Sequence, residues 1–426
     1  MPPSMSFRAV VEKLAPTGEG VVRTNEGVGL VDGVLPGEEV EIEIVRRSRK
    51  IWRGRPGAVY RASPDRRTGG HADGCPACDW AHFDRAAARS AKRDLFLETM
   101  SRIGRVPASA FAGLAVEPSG PGYRLRSRFH AERREGSLRL GGFAPGTHRV
   151  EPLDACEALS GSLRDLLPRL GEALAPFPPP LEIATLESLD GGRRLVRAVV
   201  PGESGAAAPI ARALAPHFDG VSVVDSKGAL LRRAGAPRLW ISVGERECPA
   251  SAGAFFQANR FLVEPLARHV EELAAAVPPG RALDLFGGSG LFAGALLGAG
   301  HQVTSVEGQG EAARDAKLAR DRWRSGDRWR IEQAPVAQFV RVDRGREDLI
   351  VVDPPRAGLG LALSRALAHR ARRRLIYVSC DPATLARDLA AILPEGWEIV
   401  GARLFDLFAL THRVEAVVAL ERNRAA

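Results

Sequence analysis

The sequence predicts a multidomain protein: an OB-like β-barrel over residues 1–62, a mostly β central domain over 63–250 and a doubly wound α/β domain over 251–426. Three observations carry this expectation. Up to about residue 60, short apolar runs alternate with Gly, Pro and Asn turn signals, which is the rhythm of a small barrel. After about Ala252 the rhythm changes to alternating strand and helix patterns, which means crossover units and a mainly parallel sheet. At ~150 residues per domain, a chain of 426 residues holds two to four hydrophobic cores and needs no disulfide staples.

Composition narrows the class. Apolar residues make up 45% and charged residues 26%, ordinary for a globular chain, which argues against a disordered or fibrous protein. The longest apolar stretch, 290–300, falls short of the ~20 residues of a membrane-spanning helix. The N-terminus has no basic segment followed by an apolar core, and Glu12 and Lys13 arrive early, so no signal peptide is read and a cytoplasmic location is expected. The net charge of +9 is carried mostly by Arg and is clustered: 46–67 holds nine basic residues against Asp65, and 123–149 holds seven Arg against two acids. Such stripes suit a phosphate backbone, so a polyanion is the expected partner; no obligate protein partner is indicated.

The elements follow in order. Strands are expected at 9–11, 20–22, 28–31, 40–45 and 55–60, with the basic edge following Val45. A helix runs from an Asp84 cap to a stop at Gly104. The middle shows strand-like runs at 138–143, 181–185, 195–200 and 220–225. Beyond it come helices at 262–277, 291–299, 310–324, 361–372 and 383–392, and strands at 282–286, 302–307, 348–353, 375–379, 397–404 and 414–420.

The strand ends carry the chemistry. Asp284-Leu-Phe-Gly-Gly-Ser-Gly290 is a glycine turn opening a helix, where missing side chains let a nucleoside cofactor lie against the backbone. Glu307 ends the next strand, where its carboxylate can accept ribose hydroxyls. The turn also reads Gly288-x-Gly290-x-x-Ala293, which leaves a nicotinamide cofactor open, but Asp284 beside it favours S-adenosylmethionine, which has no pyrophosphate to repel. Val351-Val-Asp-Pro-Pro-Arg-Ala-Gly358 and Tyr377-Val-Ser-Cys-Asp-Pro382 end two further strands on the same edge. Cys380 stands just before a helix, whose N-terminus would favour a thiolate; the plainer reading of a lone Cys is a small buried apolar residue.

The phrases Phe255-Phe-Gln-Ala-Asn259, Asp284 to Gly290, Asp353-Pro-Pro-Arg356, Ser379-Cys-Asp-Pro382 and Thr411-His-Arg-Val-Glu415, in that order, resemble the RNA (uracil-5-)-methyltransferases over essentially the whole chain. The resemblance implies an N-terminal TRAM domain, a Rossmann-like class I methyltransferase domain at the C-terminus and, because the barrel is present, the branch acting on 23S ribosomal RNA. It implies Cys380 as nucleophile and Glu415 as base. Gln257, Asp284, Phe286, Gly288, Gly290, Glu307 and Asp353 are expected at the methyl donor, and Asp353, Arg356 and Phe256 at the flipped uracil. Two competing functions are a cytosine-5 methyltransferase, which also uses a Cys, and a non-catalytic RNA-binding or ribosome-assembly factor. The sequence departs from the family at Asp381, where Asn is usual, at Arg413, where the family has a His, and at Gly287, commonly Cys.

That branch often holds an iron-sulfur cluster on four Cys. Cys75, Cys78 and Cys156 match three positions, and the fourth falls near Gly69, where there is no Cys. The alternatives are a cluster completed by a ligand such as Asp65 or His71, zinc with His71 or His82, or no metal. Cys248 reads as a structural thiol.

Overall fold

The structure is a computed structural model that describes residues 6–25, 27–48, 51–67, 75–144, 146–202 and 205–423. Three large sheets organise the chain, joined by an isolated hairpin, Leu239–Val243 with Arg246–Ala250. In the first, six strands lie in the order Ser6–Val10, Glu39–Ser48, Ile51–Arg61, Gly27–Val31, Gly20–Thr24 and Lys13–Leu14. The two-residue strand is one more than the sequence pattern gives. Neighbours are antiparallel except Gly27–Val31, which runs parallel to Ile51–Arg61. Alternating Val22, Val31, Val40, Ile42 and Trp52 fill the core.

This sheet is bound to the rest of the molecule. Leu14 and Leu35 share a small core with Trp80, Phe83 and Ala88. Buried Glu38 accepts from Arg66 Nη2 at 2.7 Å and from the backbone N–H of Leu35 and Ser63, satisfying a carboxylate that burial alone would penalise. Asp84 caps the helix Arg85–Thr99 as expected, accepting from the N–H of Ala86 and Ala87. A π-helical turn, Met100–Gly104, ends it.

The second sheet has seven strands, ordered Val150–Pro152, Ser137–Phe143, Arg126–Arg134, Glu182–Glu187, Arg194–Val199, Gly220–Val224 and Leu230–Gly235. The four expected strands are all present. Two helices, Gly161–Leu174 and Ala207–Leu214, were not expected; they cover one face, packing Leu163, Leu167, Leu170 and Ile210 on Phe129, Ile183, Val196 and Val221.

The third sheet has eight strands: Trp329–Gln333, Gln302–Glu307, Arg281–Leu285, Glu347–Val352, Ala371–Ser379, Glu415–Arg422, Trp397–Phe405 and Val116–Glu117. The first five are mutually parallel, and Glu415–Arg422 runs antiparallel to Ala371–Ser379 and to Trp397–Phe405. The five helices expected in this region appear as Val263–Ala275, Leu291–Gly298, Gly310–Arg322, Leu361–Arg370 and Pro382–Ile392. Strand Trp329–Gln333, helix Val336–Val342 and edge strand Val116–Glu117 were missed. Phe96 and Met100 pack with Leu385 and Leu389, so the helix Arg85–Thr99 and its π turn lie against this sheet's helical layer. No helix among the described residues is long and apolar enough to cross a membrane.

Candidate active site

The carboxyl ends of the parallel strands gather the residues singled out in the sequence. After Arg281–Leu285 the chain enters left-handed backbone at Phe286 (φ 61°), Gly288 (φ 55°) and Gly290 (φ 99°). Phe286 adopts this conformation with a side chain, a strained geometry that functional turns tolerate. At Gly290 a Cβ would lie 2.3 Å from the Trp329 ring, whereas the space over Gly288 is open. The turn therefore leaves a surface on which a flat ligand can lie close to the backbone.

Glu307 faces this turn. One carboxylate oxygen accepts from Gly288 N–H at 2.9 Å and the other from Gln309 N–H at 2.6 Å. With both oxygens fixed, their remaining lone pairs are available to ribose hydroxyls. The open turn and the oriented carboxylate fit S-adenosylmethionine. Asp284, expected at the methyl donor, is 0% exposed and braces the turn from beneath. Ser305 Oγ donates to it at 3.2 Å and is itself held by Trp329 Nε1 at 2.8 Å. A Cβ on residue 287 would approach the Asp284 carboxylate to 2.7 Å, which is why Gly287 suits this chain. Burial, with the Glu307 charge adding, pushes Asp284 up to about 7.

Cys380 and Glu415, expected as nucleophile and base, stand one step beyond a shared ladder. Ser379 pairs with Ala416, so Cys380 and Glu415 are the next residues out on adjacent antiparallel strands. Asp353, at the end of Glu347–Val352, accepts from Gln257 Nε2 at 3.3 Å. Three carboxyl groups crowd here. Burial and the nearby Asp284 charge raise Asp353 to about 7, and burial and Asp353 push Glu415 well above the ordinary carboxylate range. Burial, then the charges of Glu415 and Asp353, raise the Cys380 thiol to about 12, while Arg356 acts to lower it.

The helix N-terminus does not activate Cys380 as expected. Asp381 caps Pro382–Ile392, accepting from the N–H of Ala383 and Thr384 at 3.0 and 2.9 Å. The free donors of the helix end are thus spent on the cap, a task Asn performs equally well. Arg356, Arg413 and Cys380 line a cleft of about 190 Å³, bordered also by Phe96 and Thr99 and by Thr17 of the N-terminal sheet. His412 borders the same cleft and is held there: it pairs with Asp79, whose carboxylate also accepts its N–H at 3.2 Å, and packs edge-on against Trp80.

Phe256, expected at the uracil, is 3% exposed and packs with Leu125, Leu186 and Val263 in the core; Phe255 beside it is 58% exposed. The loop has no periodicity from which to tell which of the two faces outward. Sequence reasoning also missed the role of Asp388. Fully buried, it accepts from the N–H of Leu359 and Gly360 at 2.7 and 3.1 Å and from Tyr377 Oη at 2.7 Å. Thr384 Oγ1 donates to the Arg356 carbonyl at 3.1 Å. Together they hold the loop carrying Asp353 and Arg356 against the helix that follows Cys380. The signal was present, since Tyr377 and Asp388 frame the Cys380 phrase.

The sulfurs of Cys75, Cys78 and Cys156 lie within 4.8 Å of one another, Cys78 to Cys156 at 3.8 Å. Sulfur–hydrogen bonds from its two neighbours hold the Cys156 thiol low. Among the described residues neither Asp65 nor His82 joins this group: Asp65 bonds Ser63 and Asp84, and His82 sits beside Arg66 and Glu38. Gly69 and His71 lie outside the described residues.

Comparison with known proteins agrees with this geometry. A family model described as tRNA (uracil-5-)-methyltransferase matches residues 337–423. The 23S rRNA (uracil(1939)-C(5))-methyltransferase RlmD of Halomonas elongata is 30% identical, over 98% of this chain and 90% of its own. RlmD of Vibrio vulnificus is 27% identical over 99% of this chain and 97% of its own. The crystal structure of the Pyrococcus abyssi tRNA (uracil-54, C5)-methyltransferase, in complex with S-adenosyl-L-homocysteine, superposes with a TM-score of 0.78 at 23% identity, covering 97% of this chain and 99% of that one. Near-complete overlap at 30% identity, with a shared fold, places the chain in the RNA (uracil-5-)-methyltransferase family.

Proposed function

We propose that the chain methylates carbon 5 of a uridine in 23S ribosomal RNA, using S-adenosylmethionine and a covalent Cys380 adduct. The observation that carries this is the placement of Cys380 and Glu415 just beyond the Ser379–Ala416 pair at the end of one ladder, on the sheet edge that also carries the glycine turn and the Glu307 carboxylate. Carbon 5 of uracil is a weak nucleophile. Addition of the Cys380 thiolate to carbon 6 turns the base into an enolate, which takes the methyl at carbon 5. S-adenosylmethionine, which Gly288 and Glu307 would hold, would supply that methyl as an electrophile and leave as S-adenosylhomocysteine. Glu415 then removes the carbon 5 proton, and elimination breaks the sulfur–carbon 6 bond to restore the thiolate. Arg356 favours the thiolate and, with Asp353, orients the base, which must leave any stack to reach the cleft.

The basic edge of the first sheet, with exposed Arg46 and Arg55, supports the reading of that sheet as a TRAM-like RNA-binding element. The Cys75, Cys78 and Cys156 thiols fit three corners of an iron-sulfur cluster. Its role would be to tie the loop before Asp84 to the second sheet. The function is tested by nucleoside mass spectrometry of ribosomal RNA and tRNA from a deletion strain and its parent. Loss of 5-methyluridine from 23S ribosomal RNA alone is expected; loss from tRNA alone, or from neither, contradicts it.

A further inference from the structure

One face of the second sheet is covered by the two helices; the opposite face packs Leu186 and Leu195 against the hairpin at one end and is open beyond them. On the open face the register aligns Arg128, Ala184, Arg197, Ser222 and Arg233 in one row across five strands. With strands about 4.8 Å apart, the arginines recur at roughly 10 Å, and small residues between them leave a floor. Arg197, Ser222 and Arg233 line a cleft of about 130 Å³ that is bordered also by Glu311 and Arg314 of the helix Gly310–Arg322. Arg128 pairs with Glu182 at 3.3 Å, but Arg197, Arg233 and Arg314 form no ion pair among the described residues. Other arginines nearby are paired, as Arg194 is with Glu187 and Arg238 with Asp315. Two unpaired arginines on the sheet and a third on the neighbouring helix, held together against their own repulsion, are complementary to a polyanion.

The same face carries surface aromatics. His130 follows Arg128 by two residues and so shares its face. Its ring stacks on Phe143 with centroids 3.8 Å apart and planes 13° from parallel, and His148 meets Phe143 edge-on. Phe143 is 37% exposed, so this stack contributes a platform rather than a core. Single-stranded nucleic acid is recognised by this combination, a basic groove for the backbone and exposed rings for the bases. Contacts also link the groove to Glu307 of the cofactor turn. A side chain on Gly253 would strike Arg197 and Glu311, and the Gly253 carbonyl accepts from Gln309, whose N–H holds Glu307.

We propose that the open face of the second sheet is a track for unpaired RNA, with Arg197, Arg233 and Arg314 on phosphates and the His130–Phe143 stack on a base. This rests on the RNA reading above and names where the strand flanking the target runs. The test uses full-length protein and an unstructured, uridine-containing RNA of about 12 nucleotides, with affinity measured across a salt series and S-adenosylhomocysteine binding as control. Arg197→Glu/Arg233→Glu is expected to weaken RNA binding about tenfold or more and to flatten the salt slope by about two. Phe143→Ala should weaken it roughly tenfold with the slope unchanged. Arg197→Gln/Arg233→Gln provides the same readout if the charge reversal disturbs folding, and control binding should be unchanged throughout.

RNA affinity and slope equal to wild type in both Arg variants would overturn the track; if methylation persists, the reaction still stands. RNA binding that depends on these residues, with no RNA methylated, would overturn the reaction and leave the track. A wild-type dimer that the double variant dissociates, with RNA affinity unchanged, would assign the face to a second copy and overturn the proposal.

Discussion

Asp381 looked from the sequence like a charge that opposes its neighbour's ionisation, and the structure shows why it is tolerated: it caps the helix that Cys380 introduces. Its charge still acts on the thiol. Asp381→Asn keeps the cap while removing a charge that raises Cys380, so the methylation rate should climb with pH at lower values than in wild type. Arg356→Ala removes a charge that lowers the thiol, and its profile should shift the opposite way. Coincident pH–rate profiles for the three proteins would show that Cys380 ionisation does not limit the reaction. Asp284 gives a test in stability. Its folded value of about 7 lies above the ordinary 3.8, so the stability its protonated form contributes is lost as pH rises through that window. The thermal midpoint of Asp284→Asn should therefore gain on wild type from pH 4 to pH 7; a constant difference would contradict the buried carboxyl.

Between elements, Asp388 is the link whose loss should be felt furthest. It fastens the loop bearing Asp353 and Arg356 to the helix Pro382–Ile392 and to Tyr377. Asp388→Ala leaves two N–H groups and a buried hydroxyl unsatisfied, which should cost about 3 kcal/mol in denaturant unfolding and lower turnover more than S-adenosylhomocysteine affinity. Stability within error of wild type would show the loop is held by other means. Element prediction from sequence was strongest where periodicity is strong. Strands such as Glu347–Val352, buried on both faces, are marked by an apolar run, here 349–352, and the helices between them carry regular stripes. What stayed hidden depended on tertiary partners. Val116–Glu117 is a strand only because Trp397–Phe405 offers it an edge, and Gly161–Leu174 carries Pro168, a helix breaker on sequence grounds. The strand-end residues were legible because their chemistry needs fixed types; the exposure of Phe255 over Phe256 was not, since a loop has no period to read.

At the scale of the molecule, the sheets meet around the cleft: Thr17 from the first, Phe96 from the helix before the second, and Cys380 from the third all border it. The Cys75–Cys78 loop lies close to this junction, with Trp80 bonded to both Gly18 and Leu410. Cys78→Ser should therefore remove iron from anaerobically purified protein and lower thermal stability while sparing S-adenosylhomocysteine binding. Colourless anaerobic wild type without iron or zinc by elemental analysis would show the three thiols work without a metal. The central claim, a covalent Cys380 adduct resolved by Glu415, is tested most directly by Glu415→Gln. Addition and methyl transfer can proceed while proton removal stalls, so denaturing gels should show a protein–RNA adduct carrying the methyl group, and Cys380→Ala in the same chain should abolish it. Free protein alone in Glu415→Gln, with product yield unchanged, would contradict the account.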